Sequence, residues 1–311
     1  MARERKSTPE RALRRGVVLG KYRLAQRLGE GGFSEVWRAK DIVENRWVAL
    51  KLPQLVEPGS LEEEELLAEV RLSARLDHPN ILRTRNADRI GDRYVIASDL
   101  ADETLEERIA RRLGTRRALH FVHQILEGLA FAHGARVIHR DLKPSNLMIF
   151  DDDRVLIADF GLAKVAKHTM ISATGSGTVL YVAPEQAHGY PCFASDIFSL
   201  GLIVHQMLTG SLPRWPFEWP FEGHATLRGK VPTSMVEFVR MAVQRDHRDR
   251  FHDAGAMLRA FEEVLPEAER YIARALRKRT RARQVSRGGA LGLKRAARRQ
   301  GTRAAAYRAG R

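Results

Sequence analysis

A glycine-rich stretch near the start of the chain has the residue types that phosphate binding requires. Residues 29–36 read Gly-Glu-Gly-Gly-Phe-Ser-Glu-Val and lie between two runs with the alternating pattern of β-strands, residues 22–28 and 36–40. Because glycine has no side chain, its backbone N–H group can approach a phosphate oxygen closely. A dinucleotide-binding loop would need a helix rather than a strand after the glycines. Taken alone, the stretch predicts either a cover over a triphosphate or a plain tight hairpin.

Four further segments with polar, chemically active residues follow in order. They are residues 48–51 (Val-Ala-Leu-Lys), 139–146 (His-Arg-Asp-Leu-Lys-Pro-Ser-Asn), 159–161 (Asp-Phe-Gly) and 183–185 (Ala-Pro-Glu). Together with the glycine-rich stretch, this order resembles the eukaryotic-type (Hanks-type) protein kinases over roughly residues 22–265. Lys143, with Gly177-Thr178 ahead of Tyr181, is typical of serine/threonine rather than tyrosine kinases. Residues 31–36 and 184–186 resemble bacterial members most.

The resemblance implies an ion pair beside the phosphates. Lys51 would hold the α- and β-phosphates of ATP and pair with a glutamate of the following helix. We assign that glutamate to Glu69, because it stands ten residues before Pro79, which is the spacing of the family. The run Glu62–Glu65 is interpreted instead as a solvated helix start that the helix dipole favours.

The catalytic loop and the Asp-Phe-Gly triplet supply the remaining roles that the resemblance implies. Asp141 would accept the proton of the substrate hydroxyl, and Lys143 would steady the transferring phosphoryl group. Asn146 and Asp159 would bind the Mg²⁺ ions that neutralise charge on the phosphates. Phosphoryl transfer depends on positioning and charge stabilisation, which carboxylates, an amide and two lysines can provide. The residues expected to contact the nucleotide are Gly29, Glu30, Gly31, Gly32, Phe33, Ser34, Val36, Ala49, Lys51, Ser98, Leu100 and Met148.

The elements that must position these residues change type along the chain. Strand patterns occur at residues 22–28, 36–40, 47–52, 81–86 and 94–97, and one helical pattern covers residues 61–76. Helical patterns then dominate, at residues 104–113, 116–133, 193–208, 233–242 and 254–265. Strands followed by helices predict an α+β fold with two lobes, as in the protein kinases. The small lobe would be an antiparallel sheet with one helix, and the larger lobe would be mainly helical.

The chain divides into three predicted parts. Residues 1–21 form a basic N-terminal arm, residues 22–265 the kinase-like domain, and residues 266–311 a basic C-terminal extension. Within the domain, the small lobe covers residues 22–97, the hinge about 98–103 and the large lobe 104–265. The extension is expected to be helical at first and disordered beyond Gln284, where glycines and alanine–arginine mixtures begin.

The segment between Asp159 and Glu185 is the predicted place of control. Arg140 precedes the catalytic aspartate, an arrangement that in this family accompanies regulation by phosphorylation of that segment. Thr178 is interpreted as a structural threonine, so Thr174 and Ser176 are the candidate phosphorylation sites. A phosphate there would order the segment by pairing with Arg140. The alternative is that these are ordinary polar loop residues.

One supporting position inside the domain follows the family pattern, and two others depart from it. Asp196 would brace the catalytic loop, as in relatives. Ser73 and Thr84 occupy the two upper positions of an internal column where relatives carry large apolar groups, although a one-residue shift in the alignment of residues 80–92 would replace Thr84. Small polar side chains bury little apolar area. We therefore expect the active arrangement to be weakly favoured until a phosphate or a partner stabilises it.

The excess positive charge lies at the two ends of the chain. Residues 1–21 contain seven basic and two acidic residues, and residues 271–311 contain fourteen basic and no acidic residues. Residues 22–270 contain 32 basic and 36 acidic residues, so the whole fold is excluded as a nucleic-acid-binding surface. The C-terminal extension is expected to bind polyanions in a salt-sensitive way, nucleic acid in the first place and anionic membrane in the second. A plain solvated tail is the alternative.

Composition also limits the class of protein. Cys192 is the only cysteine, which excludes an internal disulfide framework and a cysteine-based zinc cluster. No run approaches about 18 apolar residues, and the charged N-terminus does not resemble a secretory signal, so the cytoplasm is predicted. The resulting hypothesis is an ATP- and Mg²⁺-dependent serine/threonine protein kinase. The alternatives are a catalytically silent kinase-like scaffold with a nucleic-acid-binding tail, which the intact catalytic set disfavours, and a small-molecule kinase, which the activation segment disfavours.

Overall fold

The structure, a computed structural model, describes residues 13–31, 34–160, 180–278 and 280. The small lobe contains β1 (Val18–Leu19), β2 (Tyr22–Gly31), β3 (Ser34–Asp41), β4 (Arg46–Pro53), α1 (Leu61–Arg75), β5 (Thr84–Ile90) and β6 (Arg93–Asp99). Within the described residues, its six strands form one antiparallel sheet in the order β1-β2-β3-β4-β6-β5. This is the small antiparallel lobe with one helix that the sequence predicts.

Alternation along the strands separates the core of the small lobe from its open face. Val48, Leu50 and Leu52 of β4 are buried against Trp37 of β3 and their neighbours. Because successive side chains of a strand point to opposite faces, Lys51 lies on the face away from this core. The alternation of buried apolar residues along β4 therefore places the side chain of Lys51 on the face of the sheet opposite this core.

The large lobe begins after β6 and is mainly helical. Its elements are β7 (Glu103–Thr104), α2 (Leu105–Ala110), α3 (Thr115–Gly134), β8 (Leu147–Ile149), β9 (Val155–Ile157), α4 (Pro184–Ala187), α5 (Phe193–Thr209), α6 (His224–Lys230), α7 (Thr233–Ala242) and α8 (residues 254–278). Strands β7, β8 and β9 form a short antiparallel sheet. In the sequence, β7 precedes the catalytic loop, and β8 and β9 follow it. The arrangement confirms the predicted α+β fold with two lobes.

Helix α5 is the centre of the large lobe. Almost all of its side chains are buried, as expected of a helix that is apolar on every side. A Cβ added at Gly201 would stand 2.6 Å from Val243, so the end of α7 packs directly on the backbone of α5. In the part of the chain that the structure describes, α5 included, no helix is both long and apolar enough to span a bilayer.

Three predicted elements have different bounds in the structure. The strand expected at residues 81–86 begins only at Thr84, because Ile81 is buried in the large-lobe core and bridges to Ile157. The helix expected at residues 104–113 ends at Ala110, and Arg112 after it has a φ of 64°. Helix α8 runs without a break from residue 254 to residue 278, so the helix expected at residues 254–265 and the helical start expected for the extension are one element, and Ala268 and Ile272 also pack on the core.

A buried ion pair ties α4 to the segment that precedes α8. Arg250 donates from Nη1 to Glu185 Oε1 at 2.8 Å and from Nη2 to Oε2 at 3.0 Å, and its side chain is 0% exposed. The same guanidinium also donates to three backbone carbonyls. Burial by itself would raise the pKa of Glu185, but hydrogen bonds from Arg250 and Ser195 outweigh it and hold the pKa below its ordinary value.

Replacing Glu185 by glutamine is expected to lower the free energy of unfolding by about 3–5 kcal/mol near neutral pH, because Arg250 would stay buried without a counter-charge. A carboxylate with a depressed folded-state pKa stabilises fully above its unfolded-state pKa, and this stabilisation is lost as the pH falls through the folded-state pKa. In urea titrations, the difference between wild type and Glu185→Gln should therefore shrink as the pH falls below about 5. The control is Glu237→Gln, which breaks an exposed pair with Arg240 at 3.0 Å and should cost less than about 1 kcal/mol. A difference that does not change with pH would contradict the interpretation.

Candidate active site

The loop that carries the predicted catalytic residue Asp141 is held in place by Asp196 of α5. The backbone N–H groups of His139 and Arg140 donate to its two carboxylate oxygens at 2.7 and 2.9 Å. The imidazole of His133 on α3 lies 3.0 Å from the same carboxylate. Because the backbone N–H of Ala254 donates to Nδ1 of His133 at 3.0 Å, the proton of this ring is on Nε2, which donates to Asp196. Three donors thus compensate one buried charge, and the start of the loop is fixed in place.

His139 connects this loop to the segment that carries Asp159. Its Nδ1 accepts the backbone N–H of Asp141 at 3.2 Å, so its Nε2 carries the proton and donates to the carbonyl of Ala158 at 2.9 Å. Its ring also packs on Phe160, with 4.8 Å between ring centroids. Asp159 lies between these two contacts with a φ of 58°, in the left-handed region that few non-glycine residues other than Asn and Asp adopt.

Three of the predicted catalytic and metal-binding residues meet in the loop itself. The carboxylate of Asp141 is almost completely buried, and its Oδ2 lies 3.1 Å from both Lys143 Nζ and Asn146 Nδ2. The amide of Asn146 donates in addition to the carbonyl of Asp141 at 2.8 Å. The backbone of Asn146 accepts from the N–H of Ala158 at 2.9 Å. Asp141 is therefore oriented by its own loop, and this loop is bonded to the strand that leads to Asp159.

Lys51 joins residues from the two lobes. Its ammonium lies 3.0 Å from Glu69 Oε1 on α1 and 2.8 Å from Asp159 Oδ1. Burial by itself would lower the pKa of Lys51, but the negative charges of Asp159 and Glu69 outweigh it and raise the pKa, so the lysine is charged. The structure thus brings together the three residues that the sequence selects, and it pairs Lys51 with Glu69 rather than with a member of the run 62–65.

The residues expected around the nucleotide share one face of the sheet. Val36 of β3 lies opposite Lys51 of β4 in the strand register, and Gly29 of β2 lies opposite Val36. Ala49 stands two residues before Lys51 and lies opposite Ser98 of β6. Directly paired residues, and residues two apart in one strand, point to the same side. These five positions therefore line the face on which Lys51 meets the acidic groups.

The other expected nucleotide contacts are placed as follows. Glu30 and Gly31 pair with Glu35 and Ser34 across the β2–β3 hairpin, and Gly32 and Phe33 lie outside the described residues. Leu100 follows β6 directly and is half-buried. Met148, also half-buried, is on β8 directly after the catalytic loop.

The residues expected to hold Mg²⁺ fit a cation that is shared with phosphate oxygens. Because Asn146 Nδ2 donates to Asp141, the amide oxygen is the side-chain atom of Asn146 that can bind a cation. Asp159 supplies a carboxylate that is 46% exposed. Among the described residues, no three His, Cys, Asp or Glu side chains form a preformed metal cluster. Mg²⁺ is usually bound by one or two protein groups together with substrate phosphates, and this donor set matches that pattern.

Arg140 has a buried donor that the described residues do not use. Its backbone has a φ of 67°, its carbonyl accepts from Gln186 Nε2 at 2.5 Å, and its Nε has no hydrogen-bond partner among the described residues. The candidate phosphorylation sites Thr174 and Ser176 lie outside the described residues. A buried guanidinium nitrogen without a partner is costly, so this position is suited to receive an anionic group.

Sequence reasoning missed two side chains that order the site. His133 orients Asp196, and Gln124 on α3 accepts from the backbone N–H of Val155 at 2.8 Å and from Asn80 at 3.0 Å. The second set of contacts fixes β9, which leads to Asp159. Both residues stand on the long helix α3, where the sequence pattern shows only that they are polar residues within an apolar helix. Their partners are distant in the chain, so no local signal could identify them.

Comparison with known proteins places these features in a family. The protein kinase domain model matches residues 22–260. The chain is 34% identical over 206 residues to the serine/threonine-protein kinase PrkC of Bacillus subtilis, covering 63% of this chain and 31% of that protein. It is 36% identical over 211 residues to the serine/threonine-protein kinase PknA of Mycobacterium tuberculosis, covering 64% of this chain and 49% of that protein. The chain thus spans only 31% and 49% of the length of these two relatives.

A solved structure shows the same fold. The kinase domain of Mycobacterium tuberculosis PknI matches with a TM-score of 0.63 and 24% identity, covering 81% of this chain and 99% of that one. The resemblance to Hanks-type kinases, and to bacterial members in particular, is confirmed by these matches. With the family model covering most of its length, the chain belongs to the protein kinase domain family.

Proposed function

We propose that the chain is an ATP- and Mg²⁺-dependent kinase that transfers the γ-phosphate of ATP to serine or threonine hydroxyls of proteins. The observation that carries the proposal is the meeting of Lys51 with Glu69 and Asp159, next to a loop that holds Asp141 against Lys143 and Asn146. A silent scaffold would not require all of these groups in one arrangement. The names of the bacterial relatives are consistent with this activity.

Each residue contributes positioning or charge to the proposed transfer. The charged Lys51 would bind phosphate oxygens while Glu69 keeps its ammonium in place. The oxygen of the substrate hydroxyl would attack the γ-phosphorus while Asp141 accepts the proton of that hydroxyl and ADP leaves. Lys143, 3.1 Å from Asp141, would place positive charge where the phosphoryl group transfers. Asn146 and Asp159 would hold Mg²⁺, which neutralises negative charge on the phosphates.

The variants Lys51→Met, Asp141→Asn and Asp159→Ala are expected to lose phosphoryl transfer by at least about a hundredfold, because each removes charge from the transition state. The measurement is incorporation of radiolabelled phosphate from ATP into the protein itself and into a generic protein substrate. The matched control is Asp152→Asn, an exposed aspartate in the turn between β8 and β9, which should keep wild-type activity. Circular dichroism would verify that each variant is folded. Undiminished transfer in any of the three would refute the assignment of that residue.

Control by phosphorylation of Thr174 or Ser176 is part of the proposal. The unpartnered Nε of Arg140 supports it, since a phosphate could pair with this guanidinium and order the segment after Asp159. Phosphatase treatment of the active protein is expected to lower its rate about tenfold or more. The double variant Thr174→Ala/Ser176→Ala should start at the low rate and show no further loss, whereas the control Thr169→Ala should behave as wild type. A phosphatase-treated wild type with an unchanged rate would exclude this mode of control.

A second proposed activity, polyanion binding by the C-terminal extension, rests on the charge distribution. Helix α8 anchors the start of the extension, because Ile272 is buried in the large-lobe core and Tyr271 donates to the carbonyl of Arg228 at 3.3 Å. The ten basic residues of the segment 281–311 follow this anchor without any acidic residue. Such a segment binds polyanions by releasing their counterions.

Removing residues 281–311 should abolish retention on immobilised nucleic acid at about 50 mM salt and leave kinase activity unchanged, because the packed part of α8 stays in place. A full-length variant with the ten basic residues replaced by glutamine is the matched control, and it should behave as the truncated protein. Vesicles with anionic lipid, tested in parallel, distinguish a membrane surface from nucleic acid. Retention of the truncated protein would show that the site lies elsewhere.

A further inference from the structure

Helix α1, which carries Glu69, has little apolar contact with the rest of the protein. Leu66 is its single buried residue, and Leu72 packs against the core of the large lobe rather than against the small-lobe sheet. A surface helix normally docks through an apolar stripe that is at least about 100° wide. Polar contacts are therefore expected to contribute strongly to the docking of α1 on the sheet.

Glu63 is the first polar contact of α1 with the sheet. Its Oε2 accepts from the backbone N–H of Gly59 at 2.6 Å, and its Oε1 accepts from Tyr94 Oη at 2.6 Å and from Arg89 Nη1 at 3.4 Å. The side chain is only 13% exposed. These donors, the N–H of Gly59 first, lower the pKa of Glu63. The interpretation of the run 62–65 as a solvated helix start is therefore wrong for this glutamate.

The partners of Glu63 are themselves organised by the sheet. Arg89 of β5 and Tyr94 of β6 lie directly opposite each other in the strand register. The guanidinium of Arg89 lies 5.6 Å from the centroid of the Tyr94 ring. The hairpin thus presents a hydroxyl and a guanidinium side by side, and one carboxylate oxygen of Glu63 receives both. This contact fixes the N-terminal end of α1 to the edge of the sheet.

Ser73 is the second polar contact of α1 with the sheet. Its hydroxyl lies 3.1 Å from that of Thr84, the first residue of β5. The two positions where apolar side chains were expected from the family therefore touch each other and form a hydrogen bond. This contact ties the C-terminal half of α1 to the sheet with a directional interaction instead of apolar area.

Glu69 lies between the two contacts along the helix. It is six residues after Glu63 and four before Ser73, which correspond to about 9 Å and about 6 Å along the axis. At 3.6 residues per turn, Glu63, Leu66, Glu69 and Ser73 fall within an arc of about 120°. A rotation or tilt of α1 that breaks either contact would therefore move Glu69 away from Lys51.

We propose that Glu63, with Tyr94 and Arg89, and Ser73, with Thr84, form a polar clamp that positions Glu69 on Lys51. This inference rests on the proposed kinase function. The five residues act through α1 and do not touch the nucleotide, so they are positioning residues. Because the contacts are polar and few, the docked position of α1 is only slightly more stable than the undocked one, and losing one contact lowers the docked population.

A double-mutant cycle tests the clamp through kcat. Tyr94→Phe and Glu63→Ala should each lower kcat about fivefold, and the double variant should be no slower than the slower single variant, because both remove the same contact. The KM for the protein substrate should stay at the wild-type value. Glu63→Gln keeps an acceptor for Tyr94 and should recover part of the rate. Glu64→Ala, an exposed neighbour in the same turn, is the matched control and should leave kcat unchanged.

Hydrogen exchange provides a measurement that does not depend on activity. In the nucleotide-free protein, the amides of α1 should exchange faster in Tyr94→Phe and Glu63→Ala than in wild type and Glu64→Ala, while those of α5 stay unchanged. The clamp would be overturned if the two fold-losses of kcat multiplied in the double variant, or if both single variants kept the wild-type kcat. It would also be overturned if amide exchange in α1 were unchanged in the variants, or if exchange became faster to the same degree throughout the protein. An inactive wild type would instead refute the proposed function, and exchange in α1 would still decide whether the clamp exists.

Discussion

The position of the catalytic loop depends on one buried carboxylate, that of Asp196. A buried charge is costly unless hydrogen bonds compensate it, and here the compensation comes from two backbone N–H groups of the loop and one imidazole of α3. The imidazole is itself oriented by the first residue of α8. Because the donors belong to different elements, the carboxylate is satisfied only when the loop, α3, α5 and α8 are assembled together. Ordering of the loop is thus coupled to the packing of the large lobe.

Helices α5 and α1 are held in place by different interactions, and this difference has a functional meaning. Helix α5 is surrounded by apolar side chains and packs with its backbone against the end of α7, which makes it a fixed base. Helix α1 is held mainly by hydroxyl, carboxylate and guanidinium groups. Such contacts exchange readily with water, whereas buried apolar area does not. In the proposed clamp, the part of the site on α5 stays in place and the part on α1 can be displaced.

Lys51 contacts both the part of the site that the catalytic loop supports and the part that α1 carries. Its ammonium is bonded to Asp159, which the catalytic loop supports, and to Glu69, which α1 supports. The two carboxylates hold the lysine charged in spite of its burial. The observed charge and position of Lys51 thus require both lobes in their observed arrangement.

The type of fold, the family and most of the chemical groups of the site follow from the amino-acid pattern alone. Periodicity of two and of 3.6 residues located the sheet of the small lobe and the long helices, and the spacing to Pro79 selected Glu69 over its neighbours. Only the tertiary structure decided that Glu63 is a contact and not a solvated residue, that Ile81 belongs to the large-lobe core, and that His133 supports Asp196. The physical reason is that local patterns report which face of an element is apolar, whereas these roles depend on partners 31 to 76 residues away in the chain. A polar residue in a helix has the same local signature whether it meets water or a hydroxyl of a distant strand.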